Sequence, residues 1–205
     1  NYRSCKKEGT MEDNKINLLA LIPHGNEIAV LKKIQARLVN EKVYPIHPLF
    51  CPLVLFNTKQ TIKEQKEILE AMKNDFQKKK NPVQLREIER HGQWLSLAFN
   101  ISFEIKKHRT EIQIADFPPL PKTISMPLVF VKKSEDYKTV FSSSFFNDVT
   151  ENKKEIHSVE DLQKNLPSEI RVFKLALLEF SWDRKWEYAF HWEELDAKWV
   201  KIKQG

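Results

Sequence analysis

The sequence of 205 residues contains only 4 glycines. Loops that wrap a phosphate need glycine, because their backbone approaches the phosphate closely and adopts positive φ angles. Neither a G-x-x-x-x-G-K string nor a G-x-G-x-x-G string occurs in the chain. The sequence therefore excludes a P-loop and a dinucleotide-binding fingerprint.

Cysteine is also scarce. The 2 cysteines, Cys5 and Cys51, stand in a polar N-terminal stretch and in an apolar run, which does not indicate a disulfide framework. We therefore expect a reducing compartment and, by default, the cytoplasm. The 6 histidines show no H-x-H or H-E-x-x-H spacing, and no C-x-x-C pair occurs. Neither a metal site nor a cofactor is predicted.

Long apolar runs are missing as well. The longest uncharged stretch, residues 43–58, contains prolines 45, 48 and 52 and is too short to span a bilayer. The first residues show no apolar segment typical of a signal peptide. We therefore expect no membrane association.

The chain carries a net positive charge. It has 34 basic and 28 acidic residues, a formal charge of +6, and a globular composition with 41% hydrophobic residues. A basic balance favours anionic partners such as RNA or a nucleotide. Lysine-rich solvated surfaces are common, however, and Lys6, Lys7 and residues 78–80 account for much of the excess. Charge alone leaves the partner open.

Apolar periodicity predicts an α+β fold of antiparallel strands with helices packed outside. A polar tail, residues 1–14, precedes a single domain, residues 15–205, with a long polar insertion at about 132–157. Predicted helices cover residues 26–41, 61–79 and 158–166, with a short helical turn at 83–91. Predicted strands cover residues 16–23, 49–56, 95–105, 112–114, 123–131, 171–182, 186–192 and 199–202.

Helix boundaries carry local signals. Asn26 is predicted to cap the first helix. Thr61 followed by Glu64 is the pattern of a capping box, which predicts the start of the second helix. The Asn81-Pro82 pair predicts its end, since the residue before proline is biased away from helical angles.

Two apolar segments repeat each other. Residues 50–56 and residues 125–131 share Pro-Leu-Val followed by large apolar side chains, and each closes a comparable half of the chain. This arrangement resembles the two-histidine (2H) phosphoesterase superfamily, which includes 2′-5′ RNA ligase and cyclic phosphodiesterase-like proteins. The resemblance implies two pseudo-symmetric lobes with a groove between them, each lobe giving that groove a strand with a His-x-Thr/Ser motif. Tyr44 and Tyr188 match aromatic positions near the first motif and in the last hairpin.

The catalytic positions of the family are changed in this sequence. Aligned on the repeat, Cys51 and Met126 replace the two histidines, and Leu53 and Leu128 replace the two hydroxyl residues. Methionine neither gives nor takes a proton, and leucine cannot hydrogen-bond a phosphoryl oxygen. The resemblance therefore implies an inactive relative with an apolar groove floor. Its role would be binding or scaffolding, for RNA, a nucleotide or a protein partner.

Two other functions stay open from the sequence. An active hydrolase would use a different set of groups, such as His24, His47 and His191, and requires these imidazoles to meet in one pocket. An unrelated interaction module would show no pseudo-twofold. Alternating aromatic residues at 186–192 would form either core or a stacking surface for bases, which makes Trp186 and Tyr188 candidates for ligand binding.

Overall fold

The computed structural model describes residues 14–56, 59–80, 82–91, 94–100, 124–131, 164, 166–182 and 190–203. Two helices and two antiparallel sheets make up this part of the chain, as the α+β prediction requires. The elements in chain order are β1 (Asn14–Pro23), α1 (Asn26–Leu38), β2 (Val43–Pro45), β3 (Cys51–Leu55), α2 (Ile62–Lys79), β4 (Val83–His91), β5 (Trp94–Asn100), β6 (Ile124–Val131), β7 (Glu169–Ile170), β8 (Val172–Trp182) and β9 (Phe190–Lys201).

Sheet A has four strands in the order β3-β1-β8-β9. Its central strand β1 pairs antiparallel with both β3 and β8, and β8 pairs antiparallel with β9. Both faces of β1 are apolar and buried, which explains why the run from Leu18 to Ile22 shows no alternation. Sheet A thus joins the first strands of the sequence to the last ones.

Sheet B has five strands in the order β2-β6-β5-β4-β7, all antiparallel where they pair. In β5 the side chains of Leu95, Leu97 and Phe99 are buried in the main core. The alternation of these apolar residues with Ser96 and Ala98 predicts one buried and one wetter face; the buried face is confirmed, but Ser96 and Ala98 are also buried, at 2% and 1% exposure, so the wetter face was wrong for these two positions.

The two helices pack on different strands. The capping box of α2 is present, since Glu64 N–H donates to the Thr61 hydroxyl and Thr61 N–H donates to the Glu64 carboxylate. Helix α2 lies against β8 and β9, with the Phe76 and Phe173 rings 5.0 Å apart. Helix α1 lies against β2 and β6 and buries Leu31, Ile34 and Leu38.

Sheet A has a second apolar face, turned away from α2, which we call its far face. A separate cluster of buried side chains forms there, built around Leu18, Ala20 and Leu178 and joined by Phe50 and Phe130. The Phe50 and Phe180 rings are 5.3 Å apart within it. Residues that alternate with the core positions of β8 and β9 therefore point to this far face.

Three local predictions were wrong. Residues 83–91 form strand β4, not a helical turn, because a β-bulge between Leu85 and Ile88 breaks the two-residue period. Gly25 is the N-cap of α1, with φ of 82°, and Asn26 is the first helical residue. The last strand runs unbroken from 190 to 201, since a bulge at Leu195 offsets its apolar pattern.

Several predicted features lie outside the described residues. These are the polar tail up to residue 13, the strand at 112–114, the polar insertion at 132–157, nearly all of the helix at 158–166, and the turn at 183–189. Neither of the two described helices is both long and apolar enough to cross a membrane.

Candidate functional site

The four positions aligned with the 2H motifs lie in the hydrophobic core. Cys51 is 1% exposed, and Leu53, Met126 and Leu128 are 0% exposed. All four belong to one cluster that also contains side chains of both helices. They are therefore packing residues of the interior and not the floor of an open groove.

The repeated strands nevertheless lie close together. Strand β3 is the edge of sheet A, whereas β6 is the second strand of sheet B, and the two strands are in contact. Gln35 ties α1 to this junction, because its side-chain amide donates to the carbonyls of Ile46 and Leu128, both at 2.8 Å.

Tyr44 and His47 stand near this junction without forming a pocket together in the described contacts. The Tyr44 ring lies 5.6 Å from Phe130, and its hydroxyl donates to the Glu41 carbonyl at 3.2 Å. Tyr44 therefore packs on the far-face cluster. His47 is exposed in the connection between β2 and β3.

His24 and His191 lie at opposite ends of sheet A. His24 follows Pro23, whose strand partner is Phe173, whereas His191 pairs with Ser181. Eight residues along β8 correspond to about 26 Å. A single catalytic pocket that contains both imidazoles is therefore not formed. Trp186 and Tyr188 lie outside the described residues.

His24 contacts an aromatic residue that is not among the candidates predicted from the sequence. Its ring centroid is 4.5 Å from that of Trp199, with the planes 62° apart, which is an edge-to-face arrangement. The His24 backbone N–H donates to the Val172 carbonyl at 2.9 Å. This backbone hydrogen bond holds the end of β1 beside β8. From there the imidazole contacts Trp199 on β9.

The pKa of His24 lies below its ordinary value. Partial burial lowers the pKa of His24, and the nearby ammonium groups of Lys174 and Lys32 lower it further, while Glu194 opposes them. Within the described part of the chain, the buried Nε2 atom has no hydrogen-bond partner. An unsatisfied buried polar atom costs about 1–3 kcal/mol.

Strand register places two lysines on the same side as Trp199. Lys174 pairs with Trp199 and Val172 pairs with Lys201. All four side chains alternate with the core residues Phe173 and Val200, so they point to the far face of sheet A. We call His24, Lys174, Trp199 and Lys201 the Trp199 corner.

Trp199 is the most exposed of the large apolar side chains in the described residues, at 56%. Lys174 also forms an ion pair with Glu194. That pair extends along the strands past the cross-strand pair of Ala176 and Ala197, whose methyl groups leave room for it. The site therefore combines an open indole face with positive charge.

Charge is divided along β9. Its first half carries Glu193, Glu194 and Asp196, whereas Lys198 and Lys201 follow in its second half. A second exposed tryptophan, Trp192 at 43%, lies in the acidic half. The two tryptophans thus have similar exposure but different charged neighbours along the strand, although the Glu194 carboxylate reaches Lys174 at the Trp199 corner.

Two of the four residues of the Trp199 corner could be placed together from the sequence pattern. Alternation of Trp199 and Lys201 in a predicted terminal strand already placed them on one face. The contributions of His24 and Lys174 depend on the pairing of β1 with β8 and of β8 with β9, which join residues far apart in the sequence.

In the residues that the structure describes, no three His, Cys, Asp or Glu side chains come together in a way that could hold a metal ion. The chain matches no protein-family model and no curated protein.

Proposed function

We propose that this chain is a catalytically inactive relative of the 2H phosphoesterases that binds an anionic ligand. The observation that carries the proposal is the chemistry of the two motif positions, which hold a thiol and a thioether at 1% and 0% exposure. General acid–base catalysis needs two groups that exchange protons with the substrate. Met126 has no such proton, and Cys51 is enclosed by apolar side chains.

The strand arrangement supports the relationship. Sheet A collects strands from both ends of the sequence and sheet B collects strands from its middle, with one repeated strand in each sheet. The contact between β3 and β6 agrees with two sequence halves that meet at their motif strands. In the proposed lineage, apolar side chains have replaced the catalytic groups and have been absorbed into the core.

Binding of an anionic ligand is proposed because of the positive charge of the chain and the position of its lysines. A phosphate at the old catalytic centre would be buried without hydrogen-bond donors, which is costly. Positive charge and an open aromatic face are found at the Trp199 corner instead. With a formal charge of +6, the chain favours an anionic ligand there.

The test measures turnover and binding on the same sample. The full chain is incubated with a 2′,3′-cyclic nucleotide and with a 2′-5′-linked dinucleotide, and products are separated by chromatography. Binding of a fluorescein-labelled single-stranded RNA is followed by anisotropy at several salt concentrations. We expect no product and a salt-dependent binding curve.

Turnover that disappears in Cys51→Ala would overturn the proposal, because it would show that the motif position still takes part in chemistry. Cys51→Ser is the matched variant, since it keeps a small polar atom at the same place. Turnover that is unchanged in both variants but lost in His24→Ala would instead favour a hydrolase with a different set of groups. Absence of binding to any polyanion would remove the ligand part of the proposal.

A further inference from the structure

We propose that the Trp199 corner binds a nucleotide, with the base stacked on the indole of Trp199 and the phosphate held by Lys174 and Lys201. The inference rests on the proposed function, because it names the ligand class of that binding protein and the residues that hold it. The shared chemistry is a planar base joined to a phosphate, whether the nucleotide is free or part of a single strand.

The aromatic part of the site is the exposed indole. Bases stack on aromatic side chains regardless of sequence, since every base has a π face. Trp199 leaves 56% of its surface open, and the His24 ring meets it edge to face at 4.5 Å. The imidazole therefore contacts the indole while more than half of the Trp199 surface stays open to a base.

The anionic part of the site is set by the lysines. Lys174 lies directly across from Trp199 in the strand register, and Lys201 lies two residues further on the same face. Lys174 already contacts Glu194, but an ammonium has three donors and can hold a phosphate as well. Lys32 on α1 adds positive charge close to His24.

Charge also explains why the ligand is a nucleotide and not a cation or a basic peptide. Cation–π binding to an exposed tryptophan needs a ligand of positive charge, which Lys201 and Lys174 would repel, with Glu194 offsetting part of the charge of Lys174. Glu193 and Glu194 follow Trp192 directly in the acidic half of β9, and the Glu194 carboxylate reaches Lys174. Trp192 therefore serves as an internal control of the same residue type on the same strand, about 20 Å away.

The experiment compares binding of two probes to the full chain. Fluorescein-labelled hexa-adenylate is followed by anisotropy, and AMP is followed by isothermal titration calorimetry, whose signal does not depend on the replaced tryptophan. We expect Trp199→Ala to weaken binding roughly 5- to 150-fold, as for loss of one base–aromatic stack, with Trp199→Phe in between. Trp192→Ala is expected to leave the affinity within about twofold of the original.

A second pair of variants tests the phosphate contact. Lys201→Gln should reduce the slope of log affinity against log salt by about 0.7, the value for one phosphate contact on a single strand. Lys78→Gln, an exposed lysine of α2, should leave the slope unchanged. Thermal melts by circular dichroism verify that every variant is folded.

Each outcome decides the proposal. Affinity for hexa-adenylate with no AMP binding assigns the site to single strands, whereas equal affinity for both probes assigns it to free nucleotides, and either supports the proposal. Equal losses in Trp199→Ala and Trp192→Ala would overturn it. Binding of hexa-adenylate that ignores Trp199→Ala would also overturn it, yet would leave the proposed function intact. A protein captured through Trp199, with no nucleotide binding, would reassign the corner to a protein partner and overturn the proposal.

Discussion

Gln35 offers the sharpest test of how helix α1 is held to sheet B. Its side chain is 3% exposed and donates to the Ile46 and Leu128 carbonyls at 2.8 Å each. Leu128 keeps a second bond in any variant, because the Ile46 N–H also donates to its carbonyl at 3.0 Å. The Ile46 carbonyl loses its bond from Gln35.

The Gln35→Met substitution keeps an unbranched side chain of similar length and removes both donors. Loss of one net hydrogen bond costs about 0.5–1.5 kcal/mol, and a buried carbonyl left without a partner costs about 1–3 kcal/mol. We therefore expect the free energy of unfolding to fall by about 2–4 kcal/mol. For a chain of this length, such a loss lowers Tm by roughly 4–16 °C.

Urea unfolding followed by circular dichroism measures this change. Lys33→Met on the exposed side of the same helix is the control, since it introduces the same side chain without removing a described contact. If Gln35→Met and Lys33→Met both stay within about 0.5 kcal/mol of the original chain, the two hydrogen bonds do not hold α1 to sheet B.

Three further expectations follow from single residues. Thr61→Ala should destabilise the chain by about 1 kcal/mol through loss of the capping box, and Thr61→Ser should restore most of it, as read by urea midpoints. Leu53→Ala should cost about 2–5 kcal/mol, because Leu53 is 0% exposed, whereas Ile62→Ala at a 43% exposed position should cost far less; equal losses would contradict the buried position of Leu53. Burial and Lys174 lower the pKa of His24, so the unfolded chain takes up a proton first as pH falls below about 6.5. Stability should therefore decline as pH falls from about 6.5 through the lowered pKa of the folded state, and His24→Gln should flatten the decline between pH 7.5 and 5.5; an identical decline in both proteins would contradict a lowered pKa.

Much of the fold was readable from local patterns. The capping box of Thr61 and Glu64, the apolar stripe of α2 and the alternation of Leu95, Leu97 and Phe99 all act within a few residues of sequence. The apolar run of β1 predicted a buried strand, and a strand buried on both faces is observed from Leu18 to Ile22. These features are local, because hydrogen bonding at a helix end and the two-residue period of a strand depend on neighbouring residues.

Local patterns failed where a strand is irregular. Bulges in β4 and β9 shift side chains between faces, so their apolar residues no longer follow a period of two. This effect explains two wrong predictions, which are the helical turn at 83–91 and the break in the last strand. Strand pairing joins residues that are distant in sequence. It therefore depends on burial across the whole chain and not on local patterns.

The sequence by itself determined the α+β class and the thiol and thioether at Cys51 and Met126, because these follow from periodicity and residue type. Only the tertiary structure decided that both positions lie in the core. Only the tertiary structure brought His24, Lys174 and Trp199 together, since these three residues come from three strands or strand ends aligned by hydrogen bonding. Residue type sets what a side chain can do, and strand register sets which side chains do it together.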